Sequence, residues 1–589
     1  MGHCSTFAGC AFLSFAEGSR GQRQGRRGET MPVMLSGMRH QIRRLLAESP
    51  VRCVGRLLLI LSAAGALAIV PKAAQTGVDS LPRIDRSGPC ARLVVDGKPV
   101  ILLGAEVENS SSSSLEYMEQ VWPRLRQIGA HAAYVPITWE SLEPSENRFD
   151  FTLVDGLVDR ARRERLHLVL LWFGAFKNTF GSYAPTWVRS DRKRFPMAEP
   201  VRGQPSGAFS VFSPAVLAAD QRAYSTLMRH LRDHDRLHTV VMIQVENEIG
   251  LLGALRDHSK VAEDRFGDRI PPSLSNYLNR NRDRLLPELR GPWIASGGRT
   301  EGNWKAVFGS VADEVFMAWN YGRYVESVAS SGKAQLPIPC YVNAWVEGEP
   351  GTYPMGGPVS RMMDIWRAAA PSVDLLAPDL YGDLKTFDRK LANYARSRNP
   401  VAVVECSPDQ SHRSVFSAVA GHNAMVFGPY PVEAKFDPRL LRETYRQLTG
   451  MMPLLIAAQG TGRLRSILVQ GDDVEVMNLG SFRLTVRRSQ EASPSGNEPG
   501  YGLVLEIGDG DFVFMGKNFQ VSVDRPDGLR FERDYVDEGT FVDGRWVAGR
   551  RLNGDEYEGA LTFGPKEPGY RDIEVPVHIR RAKFVKARA

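Results

Sequence analysis

The stretch TVVMIQVENEIG, residues 239–250, decides the fold. Its first half is apolar and rich in β-branched residues, and it becomes polar abruptly at Glu246–Asn247–Glu248. A continuous apolar run is typical of a parallel strand that is buried on both faces. In a barrel of alternating strands and helices, the carboxyl ends of such strands carry the functional groups. The stretch therefore predicts a barrel strand that delivers Asn247 and Glu248 to a site.

A second stretch repeats this pattern, since Pro400–Val404 is apolar and leads directly into Glu405. Two glutamates on different strands of one barrel can face each other across a sugar ring, and one of them can protonate the glycosidic oxygen. A separation of about 5–5.5 Å fits a nucleophile with an acid/base, and about 6.5–9.5 Å fits inversion through a water. For either glutamate alone, a surface carboxylate or a salt-bridged structural residue is the alternative. The presence of both glutamates favours a catalytic role over these structural ones.

Eight apolar runs along the chain predict strands. They are Leu93–Gly104, Ala132–Ile137, Leu168–Trp172, Thr239–Val245, Tyr341–Asn343, Val373–Asp379, Val401–Glu405 and Ala424–Phe427. Eight strands with helices between them is the count of a (β/α)8 TIM barrel. We therefore predict an α/β protein whose catalytic barrel occupies residues 81–460.

Helices are predicted between these strands. Thr152–Asp155 resembles a capping box at a helix start. Ser213–Pro214 predicts the start of a long helix that runs through Leu231, because proline is tolerated in the first turn. Pro292–Ser296 is interpreted as a loop and Val315–Val325 as a helix.

The sequence changes character after Gln459–Gly460. Short strand-like runs follow, separated by Gly, Asp and Ser: Leu464–Val469, Val474–Leu479, Phe482–Arg487, Leu503–Ile507, Phe512–Met515 and Phe519–Val523. This spacing predicts a β-sandwich over residues 461–589. The domain could form a wall of the cleft, bind polysaccharide or stabilise the barrel, and the last is the simplest interpretation.

Several motifs together resemble glycoside hydrolase family 35. They are LEYMEQVWPRLRQIGAHAAYVPITWESLEP (Leu115–Pro144), LLWFGAFKN (Leu170–Asn178), QVENEIG (Gln244–Gly250) and the strand that ends in Glu405. The resemblance runs from about Ile84 to the C-terminus and includes bacterial β-galactosidases with a short C-terminal β domain. It implies a retaining, exo-acting β-galactosidase that removes terminal β-galactose, with Glu248 as acid/base and Glu405 as nucleophile. Asn247 would contact the hydroxyl next to the anomeric carbon.

Strand ends supply further candidate residues. The candidates for substrate binding are Tyr134, Trp139, Lys177, Asn178, Asn247, Asn343, Trp345, Asp379 and Tyr381. Indole and phenol faces at such a mouth suit stacking on a sugar. Glu140, Glu143, Trp172 and Tyr183 lie near them in the sequence. Packing is the alternative for each, and Glu143 could equally belong to a helix-capping turn.

Two residues depart from the pattern of family 35. Glu108, in GAEVENSS, stands where relatives tend to have histidine, and an extra acid there could change specificity or the pH optimum. Cys406 directly follows the proposed nucleophile, where a small or aromatic residue is more usual. Both bear on the substrate and not on the class of reaction.

Composition agrees with a large globular enzyme of 589 residues, 43% hydrophobic and 24% charged. The net charge of +7 includes the arginines between Arg20 and Arg44, and a dispersed excess is not the basic stripe of a nucleic-acid-binding protein. The sequence has no P-loop and no zinc-type cysteine spacing. Asp509–Gly510 is interpreted as a hairpin turn. We expect no cofactor and no metal, a carbohydrate substrate and no nucleic-acid partner; the oligomeric state stays open.

Residues 1–80 are interpreted as an N-terminal extension and a signal peptide. Leu57–Val70 is an apolar run that follows Arg52 and Arg56 and is short for a membrane span. The signal would occupy about residues 38–74, with cleavage near Ala73–Ala74 or after Ala66–Ala68. This predicts a periplasmic or secreted protein without stable membrane insertion, and an uncleaved anchor is the alternative. After cleavage the cysteines would be odd in number, so no disulfide framework is implied.

Two other functions remain open at this stage. A β-1,4-glycan hydrolase would use the same pair of carboxylates, but in a long open groove instead of a closed pocket. A catalytically inactive carbohydrate-binding protein could keep the same fold, because fold alone does not give function. The presence of both Glu248 and Glu405 favours an enzyme.

Overall fold

The computed structural model describes residues 81–346, 348–489, 498–554, 559–564 and 578–587. The predicted N-terminal extension and signal peptide lie outside these residues. Within them, no helix combines the length and the apolarity that crossing a membrane requires.

A small antiparallel sheet precedes the barrel. It consists of β1 (Arg83–Asp85), β2 (Arg92–Val95) and β3 (Lys98–Val100). The prediction of one strand over Leu93–Gly104 is wrong, because the chain reverses at Asp96–Gly97, where both residues have a positive φ (50° and 75°). Leu93 of β2 lies in the hydrophobic cluster that fills the barrel.

Parallel strands form the barrel. They are β4 (Leu102–Glu106), β5 (Ala132–Thr138), β6 (His167–Lys177), β7 (Val240–Asn247), β8 (Cys340–Trp345), β9 (Leu375–Leu380), β10 (Ala402–Val403), β11 (Glu405–Cys406) and β12 (Val426–Phe427). Each strand from β4 to β9 pairs with the next. β10 pairs with β12 and β11 pairs with β9, so these two short strands are the halves of one barrel strand. Because β12 also pairs with β4, the ring closes and the predicted TIM barrel is confirmed.

Helices surround this ring. They are α1 (Leu115–Met118), α2 (Trp122–Gln127), α3 (Trp139–Leu142), α4 (Thr152–Glu164), α5 (Thr186–Arg189), α6 (Pro214–His234), α7 (Lys260–Gly267), α8 (Pro272–Asn281), α9 (Pro287–Ala295), α10 (Trp304–Phe308), α11 (Ala312–Lys333), α12 (Met363–Ala369), α13 (Leu384–Tyr394), α14 (Ser411–Phe416) and α15 (Pro438–Ala458). The loop predicted at Pro292–Ser296 is wrong, because most of it continues α9. The predicted helix over Val315–Val325 is confirmed within α11.

The two predicted helix starts differ in outcome. The Ser213 hydroxyl accepts the N–H of Val216, which caps α6 as predicted. The capping box at Thr152 is wrong: Thr152 is already helical and α4 has no side-chain cap. Asp150 instead accepts the N–H of Thr152 at 2.9 Å.

The C-terminal residues form two antiparallel sheets. One contains β13 (Leu464–Val469), β16 (Gly500–Gly508), β17 (Asp511–Lys517), β19 (Phe531–Val542), β20 (Arg545–Arg551) and β22 (His578–Lys586). The other contains β14 (Val474–Leu479), β15 (Phe482–Arg488), β18 (Phe519–Asp524) and β21 (Leu561–Phe563). Their inner faces share one apolar cluster, so the predicted β-sandwich is confirmed. The Asp509–Gly510 turn joins β16 to β17, as predicted.

The sandwich packs on helices of the barrel. The Thr540 hydroxyl of β19 donates to Gln447 of α15 at 2.8 Å. Tyr501 of β16 packs against Phe416 of α14, with ring centroids 6.0 Å apart. α15 ends at residue 458 and β13 begins at residue 464, on either side of the predicted domain boundary.

Candidate active site

The carboxyl ends of the barrel strands bring distant residues to one level. Lys177 of β6 pairs with Asn247 of β7, and Asp379 of β9 pairs with Glu405 of β11. Glu248 directly follows β7. Three side chains meet here: carboxylate oxygens of Glu248, Asp379 and Glu405 all lie within 4.8 Å of one another. The two predicted catalytic glutamates therefore face each other, although they come from different strands.

Glu248 is 7% exposed and is surrounded by polar groups. The Asn178 side-chain amide donates to its Oε2, and its own backbone N–H donates to Asn343 Oδ1 at 3.0 Å. Burial is the largest cause that raises the pKa of Glu248 to about 7, and the negative charge of Glu405 adds to it. The positive charge of Lys177 and a hydrogen bond with Asp379 act in the opposite direction. Glu248 is thus suited to hold a proton near neutral pH.

Glu405 lies in a different environment. The Tyr381 hydroxyl donates to its Oε1 at 2.5 Å. Burial raises the pKa of Glu405, while the Tyr381 hydrogen bond and the positive charge of Lys177 oppose this rise. A donor aimed at the carboxylate stabilises its charged form. Because two adjacent buried carboxylates do not both ionise readily, the proton belongs on Glu248 and the charge on Glu405.

The backbone at the end of β7 is unusual. Glu246 and Glu248 both have left-handed φ angles, 59° and 46°, which are costly for non-glycine residues. The conformation turns the chain so that Asn247 and Glu248 both become buried next to β6. Asn178 on the facing chain has a φ of 49°. Such strain is concentrated where polar side chains must converge.

Asn343 and Asp379 connect the strands below the glutamates. The Asn343 amide donates to Asp379 at 2.8 Å, and its oxygen accepts the Glu248 N–H. Burial is the largest cause that raises the pKa of Asp379 well above its ordinary value, followed by the charges of Glu405 and Glu248. Asn343, which Asp379 holds in place, therefore orients the backbone of Glu248.

Other predicted residues line the same region. Asn247 is buried, and its side-chain oxygen has no hydrogen-bond partner among the described residues. Lys177 bonds Asn178 and lies 4.9 Å from the centroid of the Phe173 ring. Tyr381 is 42% exposed and Trp345 is 40% exposed, so both aromatic rings are open to solvent at the rim.

Two predicted substrate-binding residues are packed in the interior. The Tyr134 hydroxyl donates to the Phe427 carbonyl at 3.0 Å, and its ring lies inside the barrel. The Trp139 indole donates to Glu143 at 2.8 Å, and the ring packs edge-on against Trp187. Both side chains are fully buried, and the structure corresponds to the packing alternative for each.

Residues near the motifs also have structural roles. The Trp172 indole donates to Asp220 at 2.9 Å, on the helix side of the barrel wall. Glu143 is buried and accepts from Arg222 at 3.0 Å. Glu140 and Tyr183 line a cavity of about 150 Å³ at this end of the barrel, which none of the three clustered carboxylates lines.

The sequence interpretation missed Glu106. Glu106 is the last residue of β4 and is 3% exposed. Burial raises its pKa well above the ordinary value, and the charge of Glu405 adds to this rise. The signal was available: GAE follows an apolar run, as ENE does in β7. The strand predicted from the sequence ends at Gly104, two residues short of Glu106, so the rule of polar strand ends does not select this residue.

Glu108 and Cys406 flank this region. Glu108 is exposed, and the Tyr430 hydroxyl donates to it at 3.1 Å. Cys406 is buried, and its thiol donates to the Gly428 carbonyl at 3.7 Å. Burial raises the pKa of the Cys406 thiol, so it stays protonated beside Glu405. Cys90, Cys340 and Cys406 are all free.

The clustered carboxylates are also the group of described residues that could hold a cation. Each of these carboxyl groups accepts a hydrogen bond at one oxygen: Tyr381 donates to Glu405, Asn178 to Glu248 and Asn343 to Asp379. A carboxyl that holds a proton is a poor ligand for a hard cation, which favours acid/base chemistry at this place.

Two family models match the chain. Glyco_hydro_42, described as β-galactosidase, matches residues 112–293, and a domain of unknown function (DUF5597) matches residues 441–563. The first match contains Glu248 and ends before Glu405. It supports a glycoside hydrolase of the β-galactosidase type, but it corresponds to family 42 and not specifically to family 35, which the motifs resemble. A search of curated proteins finds no relative.

Solved structures of glycosidases resemble parts of the chain. The β-galactosidase from Bacillus circulans sp. alkalophilus is 15% identical with a TM-score of 0.43, over 61% of this chain and 57% of that one. The β-galactosidase from Marinomonas ef1 is 12% identical with a TM-score of 0.41, over 61% and 60%. A β-mannanase from Mytilus edulis is 14% identical with a TM-score of 0.38, over 62% and 95%. This chain thus matches little more than half the length of either β-galactosidase.

Proposed function

We propose that this protein is a retaining, exo-acting β-galactosidase that removes terminal β-galactose by double displacement, and that it is a member of family 35. The observation that carries the proposal is the pair Glu248 and Glu405 at the strand ends, with carboxylate oxygens within 4.8 Å. This upper bound on an oxygen–oxygen distance fits the short spacing of retaining enzymes, roughly 5–5.5 Å between carboxyl groups, better than the roughly 6.5–9.5 Å that a water-mediated inversion needs. The QVENEIG motif supports the choice of family 35.

The first step uses the unequal environments of the two glutamates. Glu248, whose pKa is raised to about 7, donates its proton to the glycosidic oxygen as the bond to the leaving group breaks. Glu405 attacks the anomeric carbon from the opposite face and forms a glycosyl ester. In the second step, Glu248 removes a proton from water, which attacks the same carbon and releases Glu405. Two inversions give net retention.

Neighbouring side chains support these steps. Tyr381 holds Glu405 through the 2.5 Å hydrogen bond and orients the attacking oxygen. The unpartnered, buried oxygen of Asn247 is an acceptor for the sugar hydroxyl next to the anomeric carbon. A buried acceptor without a partner costs about 1–3 kcal/mol, and substrate binding would recover it. Trp345 and Tyr381 offer aromatic faces at the rim, where an aglycone would lie.

A panel of aryl β-glycosides tests the activity, with galactoside compared against glucoside, mannoside and fucoside. We expect the galactoside to exceed its C4 epimer by roughly tenfold to a hundredfold or more in kcat/KM, since an unmatched hydroxyl leaves a buried group unpaired. Proton NMR of the first product should show β-galactose before mutarotation. Equal rates on galactoside and glucoside would favour the β-1,4-glycan hydrolase, α-galactose would exclude retention, and no turnover with preserved sugar binding would indicate an inactive binding protein.

We also propose that the protein is periplasmic or secreted. The proposal is supported by the apolar run Leu57–Val70 and the arginines that precede it. Fractionation of cells that express the full chain, with N-terminal sequencing of the product, tests it. A new N-terminus near residue 74 is expected, and a protein that keeps its apolar run in the membrane fraction would indicate an anchor.

A further inference from the structure

The wall between β6 and β7 has a gap in its strand ladder. Trp172 pairs with Val245 and Lys177 pairs with Asn247, so four residues of β6 bulge opposite the single residue Glu246. A bulge of this size leaves backbone N–H groups without a strand partner, and buried N–H groups need one. The residues that follow this gap on each side, Lys177 and Asn247, belong to the active site.

Glu246 closes the gap with its side chain. Its Oε2 accepts the Phe176 N–H at 2.7 Å. The side chain is fully buried although it belongs to a glutamate. The carboxyl therefore replaces the carbonyl oxygens that a regular parallel strand would supply.

Asp220 of α6 anchors Glu246 from the helix layer. Asp220 Oδ1 and Glu246 Oε1 each lie 2.7 Å from the position that a Cβ on Gly174 would occupy, so the two carboxyl groups are neighbours. Glu246 Oε1 is buried and accepts no hydrogen bond from the described residues. Asp220 also accepts the Trp172 indole N–H at 2.9 Å and the Tyr324 hydroxyl at 2.7 Å. Both Asp220 oxygens therefore already accept a donor, whereas burial and then the charge of Asp220 raise the pKa of Glu246 well above its ordinary value, so Glu246 is the carboxyl suited to donate a proton to the other. Gly174 leaves the space that the pair needs.

We propose that Glu246 and Asp220 form a hydrogen-bonded acid pair that ties β6 to β7 and positions Lys177, Asn178 and Glu248 for the reaction. This inference rests on the proposed glycosidase function for its kinetic consequences. Glu246 is a positioning residue and not a catalytic one, because its carboxyl faces α6. Its effect reaches the site through the bulge, since the Asn178 N–H bonds the Asn247 carbonyl at 3.1 Å and the Asn178 amide bonds Glu248.

The pair makes different predictions for polar and apolar replacements. In Glu246→Gln the amide can donate to Asp220 and its oxygen can accept the Phe176 N–H, so kcat should stay within about threefold of the wild type. In Glu246→Leu both partners are unpaired and the bulge shifts. A misplacement of about 1 Å at a catalytic group can cost on the order of 100-fold in rate. We therefore expect kcat to fall by about 100-fold in Glu246→Leu, with little change in KM.

Two tyrosines on α11 provide a matched pair that should fold normally. Tyr324 and Tyr321 both pack edge-on against Phe176, at 5.2 and 5.7 Å between ring centroids. Only Tyr324 donates to Asp220, whereas the Tyr321 hydroxyl is buried without a partner among the described residues. We expect Tyr324→Phe to lower kcat by about fivefold, which corresponds to one hydrogen bond, and Tyr321→Phe to leave it unchanged.

The decisive experiment measures kcat, KM and amide hydrogen exchange of the Phe176 N–H in the wild type and the four variants. Exchange of this N–H should be slow in the wild type and Glu246→Gln and faster in Glu246→Leu. The inference is overturned if Glu246→Leu keeps wild-type kcat, if Glu246→Gln loses as much as Glu246→Leu, or if both tyrosine variants behave alike. If the wild type hydrolyses none of the aryl glycosides, the proposed function fails, and hydrogen exchange alone decides whether the pair ties the strands.

Discussion

The ends of β7 and β11 present the same chemical group in two environments. Glu248 follows a left-handed turn, is 7% exposed and accepts an amide donor from Asn178. Glu405 continues a regular strand pairing, is partly buried and accepts a hydroxyl donor from Tyr381. Burial favours the neutral form of the first, and the tyrosine favours the charged form of the second. The two environments therefore fit the opposite roles that we propose for two chemically identical side chains.

Removal of the proposed nucleophile should have the largest effect. Glu405→Gly should lower kcat on aryl β-galactosides by about 10⁴-fold or more, because no covalent intermediate can form. Added azide should restore turnover and give the α-galactosyl azide, since it occupies the space of the lost carboxylate. Product stereochemistry by NMR checks this. Near-wild-type turnover without azide would remove Glu405 from the mechanism.

Removal of the acid should depend on the leaving group. Glu248→Ala should cost about 10²–10⁴-fold on substrates with poor leaving groups and much less on dinitrophenyl galactoside, which needs no protonation. Azide should here give the β-galactosyl azide, the opposite anomer from Glu405→Gly. Equal losses on both substrates would make Glu248 structural.

The pH profile gives a second test of the same residue. In the wild type, kcat/KM should fall as the pH rises through about 7, because Glu248 loses the proton that it must donate. The pH at which kcat/KM falls depends on the groups near this carboxyl, which are Lys177, Asp379 and Glu405. In Glu248→Ala the basic limb should be absent, and its persistence would assign it to another group.

Loss of the Tyr381 hydroxyl, which bonds Glu405, should have an intermediate effect. Tyr381→Phe removes a donor to an ionised group, which is worth about 1.5–3 kcal/mol, so kcat/KM should fall roughly tenfold to a hundredfold. The pKa of Glu405 should rise, because the Tyr381 hydrogen bond lowers it in the wild type. The acidic limb of the profile should therefore move to higher pH. An unmoved limb would assign Tyr381 to substrate binding alone.

Tyr134→Phe should have a small effect and serves as the matched control for Tyr381→Phe. Among the described residues, the partners of its hydroxyl are the Leu102 and Phe427 backbone carbonyls inside the barrel. The free energy of unfolding should drop by about 1 kcal/mol, measured by urea denaturation, while kcat/KM stays within about threefold. A large rise in KM would return Tyr134 to the substrate site.

Chelation should have no effect. Dialysis against EDTA should leave kcat/KM unchanged, because the proposed reaction needs only the proton of Glu248, whose pKa is raised to about 7, and the carboxylate of Glu405. Loss of activity that added Mg²⁺, Ca²⁺ or Zn²⁺ restores would instead give the three carboxylates a metal-binding role.

The sequence pattern of an apolar run followed by polar residues predicts much of the candidate site. Asn247, Asn343, Asp379 and Tyr381 were predicted because polar residues follow apolar runs, and the structure places all four beside the glutamates or at the rim. Tyr134 obeys the same rule and yet lies in the core. Successive residues of a strand point to opposite faces of the sheet. In a barrel, the inward-facing side chains fill the interior, and Tyr134 is one of them.

The sequence by itself determined the barrel, the sandwich and the two catalytic candidates, because apolar periodicity and abrupt polar strand ends are local properties of the chain. It did not reveal that Glu106 lies beside Glu405, or that Glu246 lies beside Asp220. These neighbours depend on which strands pair, where β6 bulges and which helix packs over the gap. Such contacts join residues far apart in the chain, so only the tertiary structure decided which glutamates lie in the candidate site and which one lies in the barrel wall.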